Sequence, residues 1–196
     1  MNALLQNLAA FEVILASKSP RRQQLLADMD IPFKVLTKDT DESFPADLPA
    51  EKIASYLSQI KANAFSADEL PENFLLITAD TVVVKDQLPL NKPENRAEAV
   101  AMLQTLSGCT HKVITGITLR SREKMLSFAE ISEVTFDNLE QEEIDFYVEQ
   151  HKPFDKAGAY GIQEWIGVIG ISGMRGSFYN VMGLPTHKLY QALKAF

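Results

Sequence analysis

The chain has 196 residues, 46% of them hydrophobic and 23% charged. That is the profile of a soluble globular protein with enough length for one domain built, if need be, from two lobes. Nineteen Lys and Arg stand against 26 Asp and Glu, a formal net charge of −7, which excludes a general nucleic-acid-binding face and leaves room only for a local anion pocket. A single cysteine, Cys109, excludes an internal disulfide or a multi-cysteine zinc site and fits a reducing cytoplasm; "MNALLQNLAAFEV" lacks the basic start and long apolar core of a signal peptide, and no apolar run approaches a membrane span.

In chain order, "FEVILAS" (Phe11 to Ser17) is a short β-rich run ending in turn formers, hence a buried strand. A helix is predicted from about Pro20 to Met29, and a second strand in the alternating "FKVLTK" (Phe33 to Lys38). The acidic "KDTDESFPADLP" reads as a loop. Ile53, Leu57, Ile60 and Ala64 recur on one face of a helix from Ala50 to Phe65. "FLLITADTVVV" (Phe74 to Val84) is the strongest strand, and "KDQLPLNKP" reads as a turn and return. A helix over roughly 95–107 ends at Gly108, where a left-handed cap belongs. "HKVITGITLR" and "LSFAEISEVTF" alternate and predict a strand pair; "EQEEIDFYVEQ" is a helix with acids in its first turn. The glycine-rich "AGAYGIQEWIGVIGISGMRGSFYNVMG" suggests turns, short strands and close backbone approaches, and a last helix opens near Pro185. Strands and helices are mixed throughout, with hairpins as well as possible crossovers, so the expected class is α/β or α+β with a mixed sheet. No linker is visible, and residues 1–196 read as one domain.

The first chemistry lies in "SKSPRR". Ser19 suits an N-cap and Pro20 the first helical position. Arg21 and Arg22 then stand in the first turn, where cations oppose the helix dipole. An anion bound at the helix start reverses that sign, and so the pattern proposes a phosphate site of serine hydroxyls, free backbone N–H groups and two guanidinium groups. A solvated basic turn with ordinary capping is the competing reading. Asp80 interrupts an apolar, β-branched strand, a costly place for a carboxylate unless it is paired, hydrated or metal-bound. It either caps a strand end or faces a ligand, where it could hold Mg²⁺ or activate water. Glu42 in the acidic loop, Lys61 at the border of an apolar stripe and Lys92 in "LNKP" are each ordinary surface residues when taken alone. Together, these two lysines, two arginines and two carboxylates are the parts needed to hold a nucleoside triphosphate with a divalent ion. The three histidines show no metal-ligand spacing, and Walker A, "GxSxG" and dinucleotide fingerprints are absent.

The ordered pieces "LASKSPRRQQLL", "ADTVVV", "NKP", "LSGCTHKVITG", "DKAGAYGIQ" and "GSFYNVMGLP", from Leu15 to Pro185, resemble the Maf nucleotide pyrophosphatases. The resemblance implies an elongated mixed α/β fold like that of inosine triphosphate pyrophosphatases, with two lobes about a cleft. It implies divalent-metal-dependent (Mg²⁺ or Mn²⁺) hydrolysis of a nucleoside triphosphate to monophosphate and pyrophosphate. By position, Asp80 is the implied proton acceptor; Ser17, Arg22, Lys61 and Lys92 match the polar phosphate-binding residues, and Glu42 the acidic-loop residue that would hold the metal with Asp80. Arg21, Thr81 and Gln163 are similar to the residues that mark the branch acting on dTTP and UTP. The Gln163 amide offers a donor and an acceptor suited to the N3–H and a carbonyl of thymine or uracil. The alternatives are a 7-methyl-GTP pyrophosphatase and a non-catalytic nucleotide-binding regulator of cell division. A homodimer is also implied by the resemblance, while the charge and the lack of a long apolar run lead to the expectation of no nucleic-acid polymer and no membrane as partner. Two positions depart from the usual pattern: Asn91 and Glu164 stand where the family often has glycine. Glu164 thereby adds a carboxylate beside the specificity motif, with the expectation of altered metal affinity or base tolerance.

Overall fold

The structure, a computed structural model, describes residues 5–196. Strand β1 (Glu12–Leu15) runs parallel to β2 (Lys34–Val35) and to β3 (Phe74–Lys85), pairing Ile14 with Lys34 and Glu12 with Phe74. Strands β4 (Leu88–Leu90), β5 (Thr110–Arg120), β6 (Met125–Phe136) and β7 (Ile171–Arg175) complete a seven-stranded sheet of order β2-β1-β3-β5-β6-β7, with β4 antiparallel on β3. The helices are α1 (Pro20–Ala27), α2 (Ala50–Asn63), α3 (Arg96–Leu106), α4 (Gln141–His151), α5 (Trp165–Gly170), α6 (Phe178–Met182) and α7 (Thr186–Ala195). The mixed α/β class expected from the alternation of elements is therefore the one observed. No helix among the described residues is long and apolar enough to cross a membrane.

The chain divides into two compact units. One takes residues up to Asp80, with Thr115–Glu130 and Gly183–Phe196; the other takes Thr81–Ile114 and Ile131–Met182. Strands β3, β5 and β6 contribute residues to both. In the first unit α2 buries Ile53, Ala54, Leu57 and Ala62. Its backbone lies so close to β5 that a Cβ on Gly116 would come within 2.3 Å of the Ala54 carbonyl. Small hydroxyls stitch the contact: Thr78 donates to the Ser58 carbonyl at 2.6 Å, and Ser58 Oγ meets Thr118 Oγ1 at 2.9 Å. The second unit packs α3, α4 and α5 around Leu103, Phe136, Ile144, Tyr147 and Ile166. Its β3–β4 hairpin turns through Asp86 and Gln87, both at positive φ, a geometry that matches the twist of the flanking strands.

Two expectations change. The strand foreseen over Phe33 to Lys38 shrinks to Lys34–Val35, both exposed. Its partner β1 is only four residues long and pairs with β2 at Ile14 and Leu15 alone, so little ladder exists to pair with. The glycine-rich segment holds two short helices, α5 and α6, besides β7. Helical geometry at α5 depends on Gly167, where any Cβ would lie 2.2 Å from the Ile162 carbonyl oxygen. That tertiary approach has no periodic signal.

Candidate active site

In the first unit β1 ends at Leu15, and the buried Ser17 follows it. Ser17 Oγ accepts the Ser19 N–H at 3.2 Å, while Ser19 caps α1 by accepting the Arg22 N–H. Gln23 donates to the Ser17 carbonyl at 3.1 Å. The expected strand, capped turn and helix with Pro20 at its start are thus present, and the turn is held by its own polar groups.

The opening arginines then divide. Arg21 is partly exposed at the helix start. Arg22 turns into the unit, where Nε donates to the Gly183 carbonyl and Nη1 to the Ala79 carbonyl, each at 2.8 Å. The residue after Ala79 is Asp80, so this guanidinium braces the backbone that carries the carboxylate. Burial lowers the Arg22 pKa, with Asp80 and Glu42 opposing the shift and Arg21 adding to it. The sequence pattern suggested an arginine awaiting an anion. The structure shows one with two of its five donors directed at backbone oxygens.

Asp80 is 7% exposed within the buried run of β3. Lys61, on the border of the α2 stripe, lies against it: Nζ donates to Asp80 Oδ1 and pairs with Glu42 Oε1 at 2.8 Å. Glu42 reaches this position from the acidic loop, in which Asp41 accepts Ser43 N–H and Oγ at 2.8 and 2.9 Å and so fixes a local turn. These hydrogen bonds, the backbone one first, hold the Asp41 pKa below its usual value. Two carboxylates far apart in sequence thus converge on one ammonium, with Arg22 bracing the next carbonyl. No group of three or more His, Cys, Asp or Glu placed to bind a metal occurs among the described residues.

The remaining residues singled out in the sequence belong to the second unit. Thr81 follows Asp80 on β3 and is partly buried. Lys92 is exposed beyond β4, between the buried Pro93 and Asn91, whose carbonyl accepts the Gly158 N–H at 3.2 Å. Gln163 is exposed on a four-residue turn closed by the Glu164 N–H on the Gly161 carbonyl at 3.0 Å. Glu164 is not a loose carboxylate: Tyr147 donates its hydroxyl proton to it, and Lys156 Nζ lies 3.1 Å away. Sequence reasoning missed Tyr147 and Lys156, although Lys156 stands inside the "DKAG" piece. A buried tyrosine carries no signal in a periodic helix beyond being apolar.

The chain belongs to the family described as Maf-like protein, whose profile matches residues 12–196. Relatives carry the name dTTP/UTP pyrophosphatase. One from Porphyromonas gingivalis is 50% identical over 195 residues, 98% of each chain. One from Bacteroides thetaiotaomicron is 50% identical over 97% of this chain and 99% of its own. One from Cytophaga hutchinsonii is 51% identical over 93% and 83%.

Proposed function

We propose that this protein hydrolyses dTTP and UTP to the nucleoside monophosphate and pyrophosphate, with a divalent cation as cofactor. The observation that carries the reading is the convergence of Asp80 and Glu42 on the Lys61 ammonium. The half-identical relatives named dTTP/UTP pyrophosphatase, matched over nearly the whole chain, support the substrate. Two carboxylates aimed at one cation are the hard oxygen donors that Mg²⁺ or Mn²⁺ takes when phosphate and water complete its shell, so the donor set fits and Asp80 and Glu42 would hold the ion. When bound, such an ion neutralises charge that builds on the phosphate oxygens.

The chain's own groups do the rest. Asp80, braced through the Ala79 carbonyl, accepts a proton from the water that attacks phosphorus at the α–β linkage. The bridging P–O bond breaks, and pyrophosphate departs with the electron pair. Lys61, Lys92 and the Ser17 hydroxyl donate to phosphate oxygens, and the positive field of Arg22 at the α1 start favours the polyanion. Gln163 reads the N3–H and carbonyl edge of thymine or uracil, and Arg21 and Thr81 act with it in the choice of nucleotide.

The test is orthophosphate release, measured before and after adding inorganic pyrophosphatase, from dTTP, UTP, CTP and 7-methyl-GTP with Mg²⁺, Mn²⁺ or chelator. Pyrophosphate equal to monophosphate from dTTP and UTP, abolished by chelation, is the expected result. Orthophosphate with no pyrophosphate overturns the bond assignment. A preference for 7-methyl-GTP overturns the substrate, and binding without turnover in either metal overturns the enzyme reading in favour of a regulator.

A further inference from the structure

The turn that carries Gln163 is held at both ends by one atom. Tyr147 lies on α4 with no exposed surface. Its hydroxyl oxygen accepts the Gly161 N–H at 3.1 Å, and its proton goes to Glu164 Oε2. Gly161 and Glu164 are the first and last residues of the turn, so the phenol ties its two ends to α4. Lys156, whose side chain is 9% exposed, balances the Glu164 carboxylate at 3.1 Å and also pairs with Asp155 at 2.7 Å. Ile162 is buried in the core of the unit, and Gly167 lets α5 press against its carbonyl. Gly161 fits beneath the Glu164 side chain, where a Cβ would meet Glu164 Cδ at 2.8 Å. Of the four turn residues Gln163 is the exposed one, with Glu164 half-buried against its partners, and its backbone is fixed from three directions.

We infer that Tyr147, with Glu164 and Lys156, is a positioning clamp that sets nucleotide-base selection by fixing the Gly161–Glu164 turn. The inference rests on the reading of Gln163 as the residue that meets the base. A glutamine amide carries a donor and an acceptor side by side, and rotating it by half a turn exchanges them. The exchanged order suits cytosine, which offers an acceptor at N3 and an amine beside it. A glutamine side chain also has three torsions of its own, so any play in its backbone adds to the freedom of the amide. Discrimination between uracil and cytosine edges therefore needs a mount that does not move. The clamp also explains how Glu164 is tolerated beside the specificity motif: its charge is matched by Lys156 and its second oxygen is used by the phenol.

The test compares Tyr147→Phe, Gln163→Ala and the double variant, reading the ratio of kcat/KM for UTP over CTP. Phe keeps the ring in the core and removes only the hydroxyl. Tyr147→Phe is expected to lower the ratio by about tenfold, the scale of one hydrogen bond to a charged group, and to speed amide exchange at Gly161 and Glu164. In the Gln163→Ala background the same change should leave the ratio where Gln163→Ala alone put it. A ratio untouched by Tyr147→Phe but collapsed by Gln163→Ala overturns the clamp and leaves the base reading standing. A ratio untouched by Gln163→Ala overturns the base reading, and base selection through the clamp with it. An equal fall in both backgrounds means Tyr147 supports the fold in general, which also overturns the clamp.

Discussion

Asp80 and Arg22 show how far a side chain's neighbours decide its role. Asp80→Asn is nearly isosteric and removes the charge that faces Lys61 and, on the function proposed above, the oxygen that accepts the proton. It is expected to lower kcat by at least about 10²–10⁴-fold while circular dichroism stays unchanged, which pyrophosphate-release assays will show. Arg22 requires a different expectation from the one its sequence context suggests. Two cations in the first turn of a helix oppose the dipole, so sequence alone predicts that Arg22→Ala is nearly neutral for stability. The two carbonyls that Arg22 satisfies, at Ala79 and Gly183, reverse this. Removing it leaves polar acceptors unsatisfied and should cost about 1–3 kcal/mol in urea unfolding. Arg22→Lys isolates the brace: lysine keeps the positive charge but lacks the planar fork that reaches both carbonyls. Recovery of full stability by lysine would count against the brace.

At the scale of elements, α2 and β5 are the pair that places Lys61. Gly116 is the point where the helix backbone rests on the strand, and a methyl there would meet the Ala54 carbonyl carbon and oxygen at 2.3 Å. Neither is the free end of a flexible side chain, so the helix must move. Gly116→Ala is expected to destabilise by about 1–3 kcal/mol, the usual cost of overpacking, and to lower kcat, because Lys61 lies two turns along the displaced helix. Chemical denaturation and steady-state kinetics on the same preparation check both; an unaltered kcat with reduced stability would show that the helix yields without moving Lys61. Sequence reading located α2, β3 and the α1 cap well because their signals are local: an apolar stripe, a β-branched run, and serine followed by proline. It located β2, α5 and α6 poorly because their extents depend on what lies beside them.

At the scale of the whole molecule, His111 is a buried group whose burial makes stability respond to pH. It is 2% exposed on β5, with Nε2 2.7 Å from the Tyr160 hydroxyl and its ring stacked on Phe136. Burial, with the charge of Lys85 adding to it, lowers its pKa from 6.5 to about 4. The folded protein therefore keeps the ring neutral through a range in which the unfolded chain protonates it. Stability from this group is complete above the unfolded value of 6.5, falls as pH drops from there towards 4, and is lost below. The full drop is about 3 kcal/mol at 1.36 kcal/mol per pKa unit. Urea unfolding of the wild type and His111→Gln across that window isolates it from the carboxylates, which titrate in both. The difference in stability between the two proteins should narrow by about that amount on acidification; a constant difference would remove His111 from the acid response.

The sequence by itself determined the class of fold, the capped turn at "SKSPRR", the left-handed position of Gly108 at φ +66, the lone acid of β3 and the family resemblance. Each is written in neighbouring residues, since caps, turns and periodic burial are satisfied within a few positions of chain. Tertiary structure alone decided that Glu42 and Asp80 share Lys61, that Arg22 reaches Gly183 across 161 positions, and that Tyr147 ties both ends of the Gln163 turn. The Arg22 partnership ends on a backbone carbonyl, and the Tyr147 one on a backbone N–H at one of its two ends; such backbone groups leave no trace in composition. The third joins side chains whose individual settings are ordinary. Long-range hydrogen bonds of this kind form only once the core has fixed where the backbone runs, and that is the physical reason a sequence names the chemical groups of such a site before it reveals which of them meet.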